Sequence, residues 1–313
     1  MSDSRHTLRI ATRQSRLALW QAEHVADLLR AAHPDLTVEL VPMTTQGDRI
    51  LDRPLATIGG KGLFIKELEL AMSEQRADIA VHSMKDVPSE MPPGMMLAAM
   101  LPRADPRDAF VSLRHKTFAD LPQGARVGTS SLRRQCQLKF ARPDLQLITL
   151  RGNVDTRLRK LETEGFDAII LAAAGLIRLG LESRITQYFD YEQSVPAVGQ
   201  GIIGIECRSD DAINIGYVRA LNDVEAWQCC AAERAFAQHL EGSCQSPIAG
   251  FARLGGERLQ LHAVIGSPDG SEVYRGSASG AIAEAESIGV RLAETLLKEG
   301  AAQLLERLRQ EPL

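Results

Sequence analysis

The feature that most constrains this 313-residue chain is a rhythm: over its first two thirds, short apolar runs of strand length alternate with stretches of helical periodicity. LRIAT (8–12) reads as a short buried strand and RLALWQAEHVADLLRAAHP (16–34) as a helix that ends at His33, before Pro34. TVELVPMTT then reads as strand, GLFIKELELAMSEQ as helix and ADIAVHSM as strand. Strands separated by helices assemble into a mostly parallel sheet covered by those helices, because parallel neighbours need a long crossover. The Pro- and Gly-rich patch VPSEMPPGM (87–95) interrupts the rhythm, which resumes through MLAAMLPR and DAFVSL. ARVGTS then leads into SLRRQCQLKFARP, LQLITL into RGNVDTRLRKLETE, and FDAIILAAAGL into IRLG, giving a second α/β unit of similar build. GQGIIGIECR (199–208) is expected to return the chain to the first sheet, and two crossings between units would make a hinge.

The texture changes near Ser246. DDAINIGYVRALNDVEAWQCCAAERAFAQHLEG reads as one helical run. After it, IAGFARLGGERLQLHAVIGSPDGSEVYRGSASG offers short alternating strands parted by Gly-Gly and Asp-Gly turns, and a long helix over 281–308 closes the chain. The expected fold class is α/β with three domains. A first lobe comprises 1–102 and 200–222, a second lobe 103–199, both with mainly parallel sheets, and a smaller C-terminal domain of 223–313 carries an antiparallel sheet with helices.

Composition narrows the setting. The longest apolar run, AIILAAAGLI (168–177), falls well short of the roughly 20 residues that span a bilayer, so no membrane partner is expected. MSDSRHTLRIATR has no charged flank followed by an apolar run, so a secretory signal is not expected and the cytoplasm is the expected compartment. Five cysteines (Cys136, Cys207, Cys229, Cys230, Cys244) without CxxC spacing argue against a disulfide framework and against a metal site. A net charge of -4, with basic residues not interleaved with aromatics, leaves no footprint for nucleic acid. Of the 36 basic residues only seven are lysine. Coding bias accounts for that count better than function does, so position has to decide.

In open parallel sheets, ligands sit outside the carboxyl ends of the strands. Here LRIAT is followed by Arg13, Ser15 and Arg16; ADIAVHSM by Lys85 and Asp86; ARVGTS by Ser131, Arg133 and Arg134; LQLITL by Arg151 and then Arg157; FDAIILAAAGL by Arg178. Five strand ends thus deliver cations, and helix starts at Ser131 and Asn153 would add backbone donors. The pattern implies a ligand bearing several carboxylates or phosphates. Asp86 stands alone as an acid in this setting; it is suited to general acid or base work, to holding a cationic intermediate, or simply to pairing with Lys85. GGKG (59–62) lacks P-loop spacing and reads as a lid. His82 follows strand alternation into the core, and four of the cysteines sit in packed patterns. Cys244, within EGSCQSPIAG, sits among loop formers, where a thiol beside a cationic cleft would be nucleophilic; the residues alone leave open whether it is incidental.

Taken together, IATRQSRLALWQA, TTQGD, GGKGLFIKELE, DIAVHSMKDVP, RADPRDAF, VGTSSLRRQ, LRGNVDTRLRKL, AAAGLIRLG, PAVGQGIIGIE and EGSCQSPIAG run in order over most of residues 8–250, and the chain resembles the porphobilinogen deaminase (hydroxymethylbilane synthase) family. The resemblance implies three domains, two of them like the lobes of type II periplasmic binding proteins. It implies a transferase that joins four porphobilinogen molecules head to tail, with loss of ammonia, into linear hydroxymethylbilane for haem and tetrapyrrole biosynthesis. The cofactor it implies is a dipyrromethane held by thioether at Cys244. Asp86 matches the catalytic aspartate, which would hydrogen-bond the pyrrole N–H, assist departure of ammonia and stabilise an azafulvene-like cation. Each pyrrole carries an acetate and a propionate, and the implied carboxylate partners are Arg13, Arg133, Arg134, Arg151, Arg157 and Arg178. Of these, Arg133, Arg134 and Arg157 would meet the cofactor with Lys85, Ser83, Thr129, Ser131 and Gly152, while Arg13, Ser15, Arg151, Arg157, Arg178 and Gln200 would meet substrate. Lys61 and Phe64 match the lid, and Gln200 lies in the hinge segment. Thr57 departs from the pattern, standing where members often carry lysine. Porphobilinogen is the implied partner, with a monomeric enzyme and hand-over of product to the next pathway enzyme.

Two other classes share part of this pattern. A non-catalytic two-lobe binding protein for a polycarboxylate would share the lobes but need no thiol, and would carry an export signal. A cysteine hydrolase would need a histidine partner for Cys244, for which His239 is the near candidate in sequence.

Overall fold

A computed structural model describes residues 6–49, 62–241 and 247–310. The chain divides into two compact units: the described residues of Met1–Ile50, Lys61–Arg103 and Ile202–Trp227 form one, and those of Leu51–Gly60, Ala104–Gly201 and Gln228–Leu313 the other.

The first unit is built on β1 (Thr7–Arg13), β2 (Thr37–Met43), β3 (Ile79–Ser83), β4 (Met95–Met100) and β10 (Ile203–Arg208), in the order β2-β1-β3-β10-β4. β1 pairs parallel with β2 and β3, and β10 runs antiparallel between β3 and β4. The segment GQGIIGIECR therefore does return to the first sheet, as its apolar character suggests. Alternation along β1 feeds both faces: Leu8 and Ile10 join the core with Val25 and Leu29 of α1 (Arg16–Ala32), while Ala11 meets Leu68 and Met72 of α2 (Lys66–Ser73).

The second unit repeats the plan. Its first sheet has the order β7-β6-β8-β5-β9, from β5 (Asp108–Val111), β6 (Arg126–Gly128), β7 (Gln146–Ile148), β8 (Ala168–Ala172) and β9 (Gln187–Tyr188). β6 pairs parallel with β7 and β8, and β5 is antiparallel to β8 and β9. In both sheets the antiparallel strand in fourth place is the one on which the chain arrives from the other unit. α3 (Leu132–Ala141) and α4 (Val154–Thr163) follow β6 and β7, capped by the Ser131 hydroxyl and the Asn153 carbonyl oxygen. The same unit holds the antiparallel sheet β11 (Ile248–Gly255), β12 (Arg258–Gly266) and β13 (Val273–Ala281). One face of that sheet, with Leu259, Leu261, Ala263 and Ile265, packs on α7 (Val224–His239), α8 (Ala285–Leu296) and α9 (Ala302–Gln310). The fold is thus mixed α/β, with two parallel-rich sheets and a three-stranded antiparallel one.

Three sequence expectations are corrected. FDAIILAAAGL is not one strand: β8 stops at Ala172 and the alanine-rich remainder turns into α5 (Ala173–Arg178), since alanine favours the helix once the β-branched run ends. The single helical run after Asp210 is two helices, α6 (Ala212–Arg219) and α7. Asn222 and Asp223 break it: the Asn222 side-chain Oδ1 accepts from Met100 N at 3.0 Å, and the Asp223 carboxylate caps α7 through Ala226 N at 2.7 Å. The long closing helix is bent at Gly300, whose φ of 124° only glycine adopts readily, so that α8 and α9 are separate.

α8 lies against α7 at Gly289, where an added Cβ would run into the carbonyl oxygen of Ala232 and approach Phe236 N at 2.8 Å. Gly289→Ala is therefore expected to lower stability by about 1–3 kcal/mol despite alanine's better helix propensity, as read by urea unfolding. Unchanged or raised stability would contradict this close approach.

Candidate active site

In the first unit, the carboxyl ends of β1, β2 and β3 share one edge with the amino end of β10, where Ile203 stands opposite Ser83. Arg13 closes β1 there. Its Nε donates to Asp48 at 3.1 Å, its Nη2 pairs with the other carboxylate oxygen, and its guanidinium lies 4.3 Å above the Phe64 ring. Asp48 also accepts from Thr45 N at 3.2 Å and Thr45 Oγ1 at 2.7 Å. Burial raises the Asp48 pKa, but the Arg13 and Thr45 contacts outweigh it and hold the carboxyl below its usual range. TTQGD is thereby explained. Thr45 and Asp48 form the turn, and Gly47 leaves room for the Phe64 ring, on which a side chain would collide.

Ser15 caps α1, accepting from Ala18 N at 3.3 Å. Ser83, ending β3, exchanges hydrogen bonds with the buried amide of Gln21, which donates at 2.9 Å and accepts at 3.3 Å. The 3₁₀ turn Met84–Asp86 follows, pinned by Met84 N donating to Ile202 O at 3.0 Å and by the buried Met84 side chain. Lys85 and Asp86 are thereby held half-buried at this edge. Asp86 makes no side-chain hydrogen bond or ion pair among the described residues. His82 points into the core, as its alternation implies, 2.7 Å from the fully buried Glu206.

In the second unit, the carboxyl ends of β6, β7 and β8 meet the amino end of β5, where Asp108 lies opposite Ala172. Asp108 is completely buried and accepts six hydrogen bonds. Arg133 donates from Nη1 at 2.8 Å and Nη2 at 3.0 Å, Arg134 from Nε at 3.0 Å and Nη2 at 2.7 Å, Ser194 Oγ at 2.8 Å and Gln200 Nε2 at 3.0 Å. Burial raises the Asp108 pKa, but the charges and hydrogen bonds of the two arginines outweigh it and hold the carboxyl far below its usual range. Arg133 and Arg134 also reach the carbonyls of Val195 and Ile170, at 2.7 and 3.0 Å. The Arg133 Nε and the Gln200 Oε1 remain buried with no hydrogen-bond partner among the described residues.

Around this cage lie Thr129 and Ser131, linked by a bond from Ser131 N to Thr129 Oγ1 at 3.2 Å, and Arg151, buried after β7. Burial lowers the Arg151 pKa. Ser130 donates to Leu150 O at 2.7 Å and so ties the two loops together. Gly152 has a φ of 116°, a Cβ there would approach Thr156 Cγ2 at 2.6 Å, and its carbonyl accepts from Arg157 Nε at 2.8 Å. Arg178 ends α5, not a strand, and reaches Gly201 O at 2.7 Å; burial pushes its guanidinium down to about 10. Cys244, Lys61 and Thr57 lie outside the described residues. The other four cysteines are buried, and burial pushes Cys136 and Cys207 up to about 11, as befits packing thiols.

Sequence reasoning missed Gln21, Asp48 and Asp108. The first two carry no local signal. Asp108 does carry one, an acid opening the otherwise apolar strand DAFV, which a central strand tolerates only with buried partners.

Each unit thus presents hydroxyls and guanidiniums at the carboxyl end of a parallel-rich sheet, the arrangement of a protein that takes an anionic ligand there. Among solved structures the chain is similar to the methionine-binding protein MetQ (14% identity, covering 71% of this chain and 90% of that one, TM-score 0.46). It is also similar to a periplasmic substrate-binding protein of an ABC transporter from Coxiella burnetii (14%, 72% and 96%, 0.46) and to the aliphatic sulphonate binding protein SsuA from Escherichia coli (13%, 76% and 71%, 0.38). The family model described as porphobilinogen deaminase, dipyromethane cofactor binding domain, matches residues 8–215, and that of the porphobilinogen deaminase C-terminal domain matches 227–298. The chain belongs to the porphobilinogen deaminase family. It is a transferase of porphyrin biosynthesis that joins four porphobilinogen molecules, with release of ammonia, into hydroxymethylbilane on a dipyrromethane cofactor. No helix among the described residues is long and apolar enough to cross a membrane.

A carboxylate whose folded pKa is depressed adds stability that is present above its unfolded value, near ~3.9, and is lost as pH falls through the folded value. Asp108→Asn should therefore cost about 3–5 kcal/mol at pH 7 by leaving two buried guanidiniums without their counter-charge. In urea unfolding, the gap between the two proteins should stay constant through neutral pH and narrow only below about pH 4. A gap that narrows above pH 6 would contradict the assignment.

Proposed function

We propose that the residues gathered at the two sheet edges are those that carry out the family's reaction in this chain. The observation that supports this most is the cage around Asp108. One negative charge is shared between two guanidiniums, so a dry, net-positive site with a spare Arg133 Nε–H stands at the strand ends. That donor set fits a carboxylate-bearing dipyrromethane. Arg133, Arg134, Arg157, Gly152, Thr129 and Ser131, with Lys85 and Ser83, would hold it, anchored by thioether at Cys244. Bound there, the dipyrromethane supplies the primer to which porphobilinogen is joined.

Arg13, Ser15, Arg151, Arg178 and Gln200 would bind the acetate and propionate groups of substrate, and Lys61 and Phe64 would cover it. Phe64 already stacks on Arg13, so covering and carboxylate binding are joined in one contact. Asp86, on a turn fixed by a buried methionine, would accept the pyrrole N–H, favour departure of the amine as ammonia, and oppose the positive charge that then develops. The turn's rigidity is what such a role needs, because preorganised charge costs no reorganisation during reaction. The working protein would be a cytoplasmic monomer of three domains, with 1–102 and 200–222, 103–199 and 223–313 as its parts, hinged near Gln200 and handing its product to the next pathway enzyme.

Asp86→Asn should leave the fold intact and lower kcat by about 10² or more, given the usual contribution of a positioned acid or base; near-normal turnover would remove Asp86 from this role. Intact-mass analysis with peptide mapping should find two pyrrole units on Cys244. A thiol that stays unmodified after incubation with porphobilinogen would overturn the anchor.

A further inference from the structure

The face of the C-terminal sheet turned from its helices is covered around Phe251 and Val264, but its other end is exposed and bears a feature outside the residues assigned to the reaction. Across the three strands Arg253 stands opposite Gln260 and Gln260 opposite Ser279; the next row on the same face is Gly255, Arg258 and Ala281. The small residues leave a hollow: a Cβ at Gly255 would meet nothing within 4 Å, and Ser279 and Ala281 are exposed. The resulting open concavity of about 480 Å³ is lined by Arg253, Gly255, Arg258, Gln260 and Ser279 together with Leu254 and Leu259, and falls in the size range of small-molecule sites.

Its two guanidiniums are held in place by neutral acceptors. Arg253 donates from Nε at 3.2 Å and from Nη2 at 3.0 Å to Gln260 Oε1, and Arg258 donates from Nη2 to Ser279 Oγ at 3.3 Å. Neither makes an ion pair among the described residues. Some exposed arginines of this chain are answered by carboxylates, as Arg30 is by Asp27, Arg76 by Glu74, Arg114 by Asp167 and Arg307 by Glu272, whereas others, such as Arg126 and Arg275, bond backbone carbonyls. The field of Arg253 is felt nearby, since His262 is pushed down by burial and then by Arg253, against a weaker opposing pull from Glu192. Two fixed, unneutralised forks beside a hydroxyl and an amide suit an anion with several oxygens.

We propose that this concavity is a second anion site, on a different sheet from the residues assigned to the reaction, for a small molecule bearing two or more carboxylates or a phosphate. The carboxylates of pyrrole ligands are one source of such an anion and phosphorylated metabolites are another. Both would be captured by bidentate contacts to Arg253 and Arg258.

The test uses ¹⁵N-labelled holoenzyme titrated separately with tricarballylate and with inorganic pyrophosphate, following the amides of β11 to β13 and the two arginine Nε–H signals. A saturable shift with millimolar or tighter affinity is expected for at least one probe, and which probe binds tells carboxylate from phosphate. Arg253→Gln with Arg258→Gln should weaken that binding by about tenfold or more while porphobilinogen turnover stays unchanged. No saturable shift with either probe, or equal affinity in the double variant, would overturn the site. Loss of turnover in the double variant would overturn its separation from the reaction. The binding readout needs no catalysis, so it stands apart from any failure of the roles proposed for Asp86 or Cys244.

Discussion

A charge with no access to water organises the second unit. Burying the Asp108 carboxylate alone would cost several kcal/mol, and the fold offsets this only by bringing donors from distant parts of the chain to one point. Arg133 and Arg134 come from the first turn of α3, and Ser194 and Gln200 from the segment that precedes the return to the first unit. One atom pair thereby sets β5, the start of α3 and residues 194–200 relative to one another. Gly199, next in the chain to Gln200, gives its N–H to the buried Glu233 of α7 at 2.7 Å, and Glu233 also accepts from Ala252 N of β11 at 2.7 Å. The C-terminal helices and sheet are thus connected to the arginine cage by hydrogen bonds to buried carboxylates. Such bonds are short, directional and costly to break, which makes the linkage stiff.

The first unit solves a related problem differently. There the ion pair of Arg13 and Asp48 is partly exposed, and an aromatic face rather than a second arginine completes the surroundings of the guanidinium. Asp86 is left on a short turn with no counter-ion among the described residues, held by its backbone rather than by its side chain. The carboxylate fixed in this way accepts no side-chain hydrogen bond among the described residues. Asp108 accepts six. The two aspartates differ in role because one begins a central strand and the other follows one.

Much of this was legible in the sequence because parallel sheets place ligand-directed residues at a predictable point, just after each strand. Arg13, Ser83, Lys85, Asp86, Thr129, Ser131, Arg133, Arg134 and Arg151 all fall at strand ends that periodicity alone locates. Arg178 does not: it sits at the end of α5, where an alanine-rich run that reads as strand continues as helix. The partners were not legible. Asp48 and Gln21 lie 35 and 62 residues from the side chains they bind, and Asp108 lies 25 from Arg133, separations at which no local pattern carries information. Burial of arginine was hidden for the same reason, since Arg133 and Arg134 look like a solvated helix start until Asp108 is known.

The abundance of arginine takes on meaning once the partners are known. A guanidinium bound to a carboxylate, as in Arg9 with Asp78 or Arg142 with Asp144, fastens the chain and cancels its own charge. A guanidinium also bonds carbonyls and neutral side chains, as Arg157 does Gly152, Arg178 Gly201 and Arg253 Gln260, and such a contact by itself adds no counter-charge. Lysine cannot do this as well, because a single ammonium has no planar fork to bond in one direction and present charge in another. The partner thus tells more than the count, since Arg13, Arg133 and Arg134 are fixed by carboxylates and Arg253 and Arg258 by neutral oxygens. The sheet edge of the second unit and the face of the C-terminal sheet around Arg253 both hold guanidiniums bonded to neutral oxygens, and both lie within the residues that the family models match.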